Sequence, residues 1–147
     1  MEIRPIDKKD LIDCARIFIH VYNEEPFNDS WEVEQAALRI KDLSETPHFF
    51  GMVAEEDEVV VGFVMGYSEQ WFPDRQFCLK EMCVRKDMQR RGIGTALIEG
   101  LLEEMIKFNA SVLYVNTGRK TGAARFFRQC SFLENESMVQ FFTRARV

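Results

Sequence analysis

Between residues 89 and 94 the chain reads Gln89-Arg90-Arg91-Gly92-Ile93-Gly94, a spacing suited to holding an anion. Glycine at 92 and 94 allows backbone conformations and close approaches that a side chain would block. Extended apolar residues precede the loop and helical periodicity follows it, so the loop falls where a strand hands over to a helix. The first turn of a helix leaves N–H groups unpaired; with the positive end of the helix dipole, they attract a phosphate or pyrophosphate. Arg85, Lys86, Arg90 and Arg91 add positive charge around that turn. A purely structural turn also uses such glycines. The stretch matches neither the G-x-x-x-x-G-K-[ST] phosphate loop nor the full G-x-G-x-x-G dinucleotide pattern.

Other chemistry is sparse. Cys14, Cys78, Cys83 and Cys130 have no close pairing spacing, and His20 and His48 stand far apart. Neither a metal site nor a disulfide framework is expected, and the thiols read as small buried apolar residues. The net charge of -5 hides a division: residues 1–74 carry 17 acids against 6 bases, and residues 75–147 carry 7 against 13. A basic half can hold an anionic ligand, and an acidic half can draw in a cationic one through its field. An unevenly charged solvated surface accounts for the same residues. Lacking an overall positive balance or a binding motif, the chain is not expected to bind nucleic acid.

The elements that must position the loop follow from periodicity. A chain of 147 residues that is 46% apolar suits one domain, residues 1–147, with a sizeable core. No apolar run approaches the roughly 20 residues needed to span a bilayer. Met1-Glu2-Ile3-Arg4-Pro5 lacks a secretory pattern, so the expected location is cytoplasmic, away from membranes. Residues 2–6 read as a strand. Asp10 is the expected N-cap of a helix with Leu11, Cys14, Ala15, Phe18, Ile19 and Tyr22 on one face. A second helix is expected over 30–43, capped by Ser30, with Val33, Ala36, Ala37 and Ile40 inward. Extended segments at 49–55, 59–68 and 77–85 form an antiparallel meander. A helix over 95–108 turns Leu97, Ile98, Leu101, Leu102, Met105 and Phe108 inward and ends at Asn109. A strand at 111–117, a helix at 122–129 and a strand at 138–144 complete the order. The strand at 77–85, its helix and the strand at 111–117 make a βαβ crossover that places those strands parallel.

The stretch Glu81-Met82-Cys83-Val84-Arg85-Lys86-Asp87-Met88-Gln89-Arg90-Arg91-Gly92-Ile93-Gly94-Thr95-Ala96-Leu97 closely resembles the central motif of the GNAT N-acetyltransferases, whose loop has the form Q/R-x-x-G-x-G/A. The element order resembles that family over essentially the whole chain, and the acceptor-side segments loosely resemble its aminoglycoside N-acetyltransferase-like subgroup. The resemblance implies an α/β (α+β) fold with a mixed central sheet of about six to seven strands flanked by four helices. It also implies an acetyl-CoA-dependent N-acetyltransferase. Gln89, Arg90, Arg91, Gly92, Ile93, Gly94 and Thr95 would bind the CoA pyrophosphate. Met82, Cys83 and Val84 would pair through their backbone with the pantetheine arm, in a gap between splayed parallel strands. Asn116 and Thr117 fall where the family contacts the cofactor or shapes the acceptor site, and the helix bearing Phe127 would flank the thiol end.

By the same resemblance Glu81 is the general base, acting commonly through water on an amine that is otherwise protonated near pH 7. Leu79, Glu81 and Cys83 share one strand face unless a bulge intervenes. A backbone amide near Val84 would serve the tetrahedral oxyanion. The chain departs from the family's F-Y-x-x-x-G-F pattern, reading Phe126-Phe127-Arg128-Gln129-Cys130-Ser131-Phe132. Phe127 has no proton for the leaving thiolate; Tyr114, Cys130 or solvent would supply it. The acceptor pocket of the family lies between the first two helices. Here that segment holds Glu25, Phe27 and Trp31, carboxylate beside aromatic rings, suited to a small cationic amine. Acetylation of a protein N-terminus or lysine, or acyl-CoA sensing without turnover, are the alternatives. Similar enzymes are often homodimers, and Phe132, Phe141 and Phe142 are available for an interface or for the core.

Overall fold

The computed structural model describes residues 1–146; Val147, the last residue of the expected single domain, lies outside them. The β-rich stretches form β1 (Glu2–Pro5), β2 (Phe49–Glu56), β3 (Val59–Glu69), β4 (Arg75–Val84) and β5 (Ala110–Val115). The helices are α1 (Leu11–Tyr22), α2 (Val33–Ser44), α3 (Ile93–Lys107) and α4 (Gly122–Gln129). The strands lie in chain order in one sheet, antiparallel except for the parallel β4–β5 pair. This is the expected meander followed by the βα crossover. Asp57 and Glu58 close the β2–β3 hairpin in left-handed conformations, φ 49° and 63°, the sense that matches strand twist in a two-residue turn.

Residues Met1–Val115 make one compact unit, and the chain from Asn116 onward makes a second. In the first, α1 and α2 cover one face of the sheet, where Cys14, Phe18, Ala36 and Ile40 pack with Phe63, Met65 and Cys83. The other face is covered by α3, whose Ile93, Leu97, Ile98, Leu101 and Met105 are buried; Gly100 lets this helix come close to Ile3 and Met52. Leu102, expected inward, is 42% exposed; the inward stripe starts a turn earlier, at Ile93. Asn109 follows α3 with φ 59°, the left-handed residue expected at its end.

Two caps differ from expectation. Asp10 precedes α1 but makes no side-chain cap bond. Its carboxylate accepts from Arg4 at 2.8 and 3.0 Å and from the Asp7 N–H at 2.7 Å. Arg4 also reaches Glu55 at 2.6 Å, fastening β1 to β2 and to the turn before α1. This guanidinium holds the buried Asp10 carboxyl below its ordinary value. Helix α2 begins at Val33 rather than at Ser30, because Asn23 clamps the backbone of Trp31 from both sides, accepting its N–H at 2.8 Å and donating to its carbonyl at 2.9 Å. Glu32 then becomes the N-cap, its N–H held by Gln35 at 3.0 Å, and Val33 points outward, 64% exposed.

In the second unit, Thr121 caps α4 by accepting the Ala124 N–H at 3.1 Å. Phe127 packs between Phe126 and Phe132 with ring centroids 5.3 and 5.1 Å away, and Arg119 pairs with Glu134. Ser131, which stands where the resembled motif has glycine, keeps a left-handed conformation at φ 66°. The strand expected over residues 138–144 does not form, so the sheet has five strands among the described residues instead of six or seven. The apolar residues of that segment come as the pairs Met138-Val139 and Phe141-Phe142, which a strand would divide between its two faces. All four are exposed.

Candidate active site

The position of Glu81 follows from one irregularity in β4. Gly66 of β3 lies against the backbone of β4 so closely that a Cβ there would meet the Cys78 carbonyl oxygen at 1.9 Å. Beside it the register steps: Leu79 pairs with Gly66 but Glu81 pairs with Met65, leaving Lys80 as an extra residue. Cross-strand partners point to the same side of an antiparallel sheet. Glu81 therefore shares the face of Met65, which α1 and α2 cover, together with Cys83 opposite Phe63. Leu79 is turned to the other face, so the bulge breaks the simple alternation of Leu79, Glu81 and Cys83.

On that face Glu81 is 8% exposed. Arg39 of α2 donates to its Oε1 through Nε at 3.1 Å and Nη2 at 2.9 Å. The Tyr22 hydroxyl of α1 donates to its Oε2 at 3.3 Å. Burial pushes the Glu81 carboxyl above its ordinary value, against the opposing pull of Arg39, and burial with the nearby carboxylate pushes the Tyr22 hydroxyl well up. A buried carboxylate with raised proton affinity is a group that can act as a general base. Tyr22 entered the sequence reading only as a core residue, and Arg39 did not enter it. Arg39 was visible as a charge on the stripe Ala36, Arg39, Ile40, Leu43, whose other three members are buried; an arginine there calls for a buried counter-charge.

Of the three residues expected on the acceptor side, Phe27 and Trp31 lie near Tyr22. Its ring lies 4.8 Å from that of Phe27 and 4.6 Å from that of Phe18, and Phe18 meets Trp31 edge-on at 4.7 Å. Phe27 and Trp31 thus stand one and two rings from the residue that touches Glu81. Glu25 is exposed, and its backbone carbonyl accepts from Lys86 Nζ at 2.6 Å.

At the far end of β4 the ladder with β5 stops at Leu79–Val115. From Lys80 to Val84 the β5 side of β4 has no ladder partner among the described residues. Cys83 is buried, and Met82 and Val84 are half-buried. Gln89 ties the following loop down by donating to the Val84 carbonyl at 3.0 Å. Arg90 and Gly92 turn the chain with φ 64° and 80°, and α3 begins at Ile93. Gly92 has no side chain to cap that first turn. Ile93 is buried, and Gly94 and Thr95 complete the first turn.

The four basic residues near the loop are not equivalent. Arg85 is held by Asp87 at 2.7 Å and Lys86 by Glu24 at 3.1 Å, whereas Arg90 and Arg91 form no ion pair among the described residues. A hollow of about 370 Å³ beside the loop is lined by Glu56, Asp57, Val61, Arg85, Met88 and Arg91. Gly92→Ala should lower stability by about 1 kcal/mol in urea unfolding, because an L-residue is strained at this φ although nothing lies within 4 Å of the added carbon; a stability equal to that of the parent protein would contradict this.

Of the expected proton donors, Tyr114 gives its hydroxyl proton to Glu69 at 2.7 Å, and burial together with that carboxylate pushes the hydroxyl far above its ordinary value. That makes it a poor acid. Cys130, Asn116 and Phe127 belong to the second unit, and Cys130 is half-buried at the end of α4.

The sequence pattern of the Acetyltransferase (GNAT) family matches residues 15–132. An uncharacterized N-acetyltransferase of Archaeoglobus fulgidus is 31% identical over 131 residues, 86% of this chain and 88% of that protein. Among solved structures, an aminoglycoside acetyltransferase from an uncultured soil metagenomic sample, in complex with sisomicin, superposes with TM-score 0.76 at 20% identity. It covers 99% of this chain and 96% of its own. A ribosomal-protein-alanine N-acetyltransferase from Brucella melitensis biovar Abortus 2308 gives TM-score 0.77 at 18% identity over 99% and 100%. At these identities the two structures speak for the fold, and the sequence match over residues 15–132 carries the assignment: the chain belongs to the Acetyltransferase (GNAT) family and is an acetyl-CoA-dependent N-acetyltransferase.

Proposed function

We propose that the enzyme transfers the acetyl group of acetyl-CoA to the primary amine of a small cationic acceptor, with Glu81 as general base. The observation that carries this reading is a buried carboxylate with raised proton affinity, contacted by Tyr22 and flanked through it by the rings of Phe18, Phe27 and Trp31. In this reading the pyrophosphate rests on the N–H groups of Ile93 and Gly94, with Gln89 and Thr95 bordering it, Gly92 shaping the turn, and Arg90 and Arg91 supplying unpaired charge. The pantetheine arm continues the ladder along Met82, Cys83 and Val84, whose β5-side edge is open.

Glu81 takes a proton from the amine, directly or through one water, as the nitrogen bonds to the acetyl carbonyl carbon. The oxyanion is stabilised by a backbone amide at the end of β4. Collapse breaks the carbon–sulfur bond and CoA leaves as its thiolate, which solvent protonates: Phe127 has no proton to give and Tyr114 holds its own on Glu69. Products are the acetamide and CoA.

The preference for a small cation rests on the acidic first half of the chain and on the aromatic rings around Tyr22. It predicts that a primary diamine has a kcat/KM about tenfold above that of an uncharged-tail monoamine of equal length, and that added salt narrows the gap. A peptide N-terminus outcompeting every small amine would instead favour protein acetylation, the reaction named for the Brucella protein of the same fold.

A further inference from the structure

Glu81 has two chemically unequal oxygens. Oε1 accepts two hydrogen bonds, from Nε and Nη2 of Arg39, at 3.1 and 2.9 Å. Oε2 accepts one long bond, 3.3 Å, from the Tyr22 hydroxyl. A carboxylate oxygen accepts about two hydrogen bonds, so Oε1 is saturated and Oε2 keeps a free position. Resting on the reading of Glu81 as the base, we propose that the amine proton is taken at Oε2 and that Arg39 is a positioning residue, clamping Oε1 so that the carboxylate is aimed and kept ionised.

The geometry explains why α2 carries an arginine on its inner stripe. The Arg39 side chain is 37% exposed while that of Glu81 is 9% exposed, so the guanidinium reaches inward from a solvated rim. Two donors from one planar guanidinium hold Oε1 in place more firmly than a single ammonium would. The charged or titratable groups facing Glu81 are few: Arg39 from α2, Tyr22 from α1, and Lys80 and Cys83 on its own strand. Across the ladder, β3 presents Met65. Arg39 is the cation bonded to the carboxylate, so removing it should move the titration of Glu81 upward, because burial would then act with little opposition.

The test is to label the side-chain carboxyl carbons with carbon-13 and follow Glu81 by NMR in the free protein, comparing the parent with Arg39→Gln and Arg39→Lys and using Glu81→Gln to assign the signal. The midpoint should rise by about one pH unit or more in Arg39→Gln and by less in Arg39→Lys. The acid limb of kcat/KM for a diamine should rise in parallel, with kcat reduced in both variants and KM for acetyl-CoA unchanged. A midpoint that stays put in folded Arg39→Gln would overturn the proposal, as would an unchanged acid limb. If the NMR midpoint moves while Glu81→Gln retains full activity, the assignment of Glu81 as base has failed and the clamp alone stands. Circular dichroism of each variant separates these outcomes from loss of fold.

Discussion

Glu81→Gln should lower kcat for amine acetylation by about a hundred- to a thousandfold and leave acetyl-CoA affinity within about twofold of the parent value. The amide oxygen can still accept from Arg39 while its NH2 group donates to the Tyr22 hydroxyl oxygen, so the side chain keeps its place while losing the ability to take a proton. The parent enzyme should show kcat/KM rising with pH through the ionisation of Glu81, displaced upward from its ordinary value, because burial raises that value and only the ionised form is a base. In the variant this limb should vanish from the residual rate. Steady-state rates from about pH 5 to 9, with acetyl-CoA binding by calorimetry, check both parts; an unaltered kcat would remove Glu81 from its role.

Gly66→Ala is expected to be the most disruptive small substitution in the sheet, costing about 3 kcal/mol or more. Its new carbon would lie 1.9 Å from the Cys78 carbonyl oxygen and 2.8 Å from the Phe77 ring, so β3 and β4 must separate where the bulge turns Glu81 towards α1 and α2. A lower urea midpoint should be accompanied by lower kcat in the fraction that remains folded, because the same displacement moves the base. A midpoint within experimental error of the parent would show that the strands relax easily and that the bulge does not depend on glycine.

Much of the fold is legible in the sequence. Strands β2 and β3, the helix following the loop and α4 fall within a few residues of the places their periodicity marks, since each buries one apolar face and has no competing pattern. The strand-to-helix loop was legible for the same reason, and its glycine at 92 does adopt a left-handed conformation. What could not be read were interactions between segments distant in sequence. The Arg4 clamp on Asp10 and Glu55 took Asp10 away from capping, and the Asn23 clamp on Trp31 delayed the start of α2 to Val33. The bulge at Lys80 depends on how closely Gly66 meets Cys78, a distance between strands that no pattern within either one encodes.

The candidate site divides along the same line. Glu81, the stretch 82–84 beyond the β5 ladder and the loop belong to one continuous stretch, and a motif can mark them. Arg39 and Tyr22 come from two other helices, 42 and 59 residues away in sequence. Only the odd charge on the inner stripe of α2 announced the first. The charge count around the loop also overstated the cradle, because Asp87 and Glu24 already hold Arg85 and Lys86.

The central claim is tested most directly by measuring CoA thiol release from acetyl-CoA by the purified protein, with and without small primary amines, alongside peptides that present a free N-terminus or lysine. Saturable, amine-dependent release that is fastest with a polycationic small amine is expected, together with recovery of the corresponding acetamide. Acetyl-CoA that binds but is not turned over above the amine-free background, across the whole set, would contradict it.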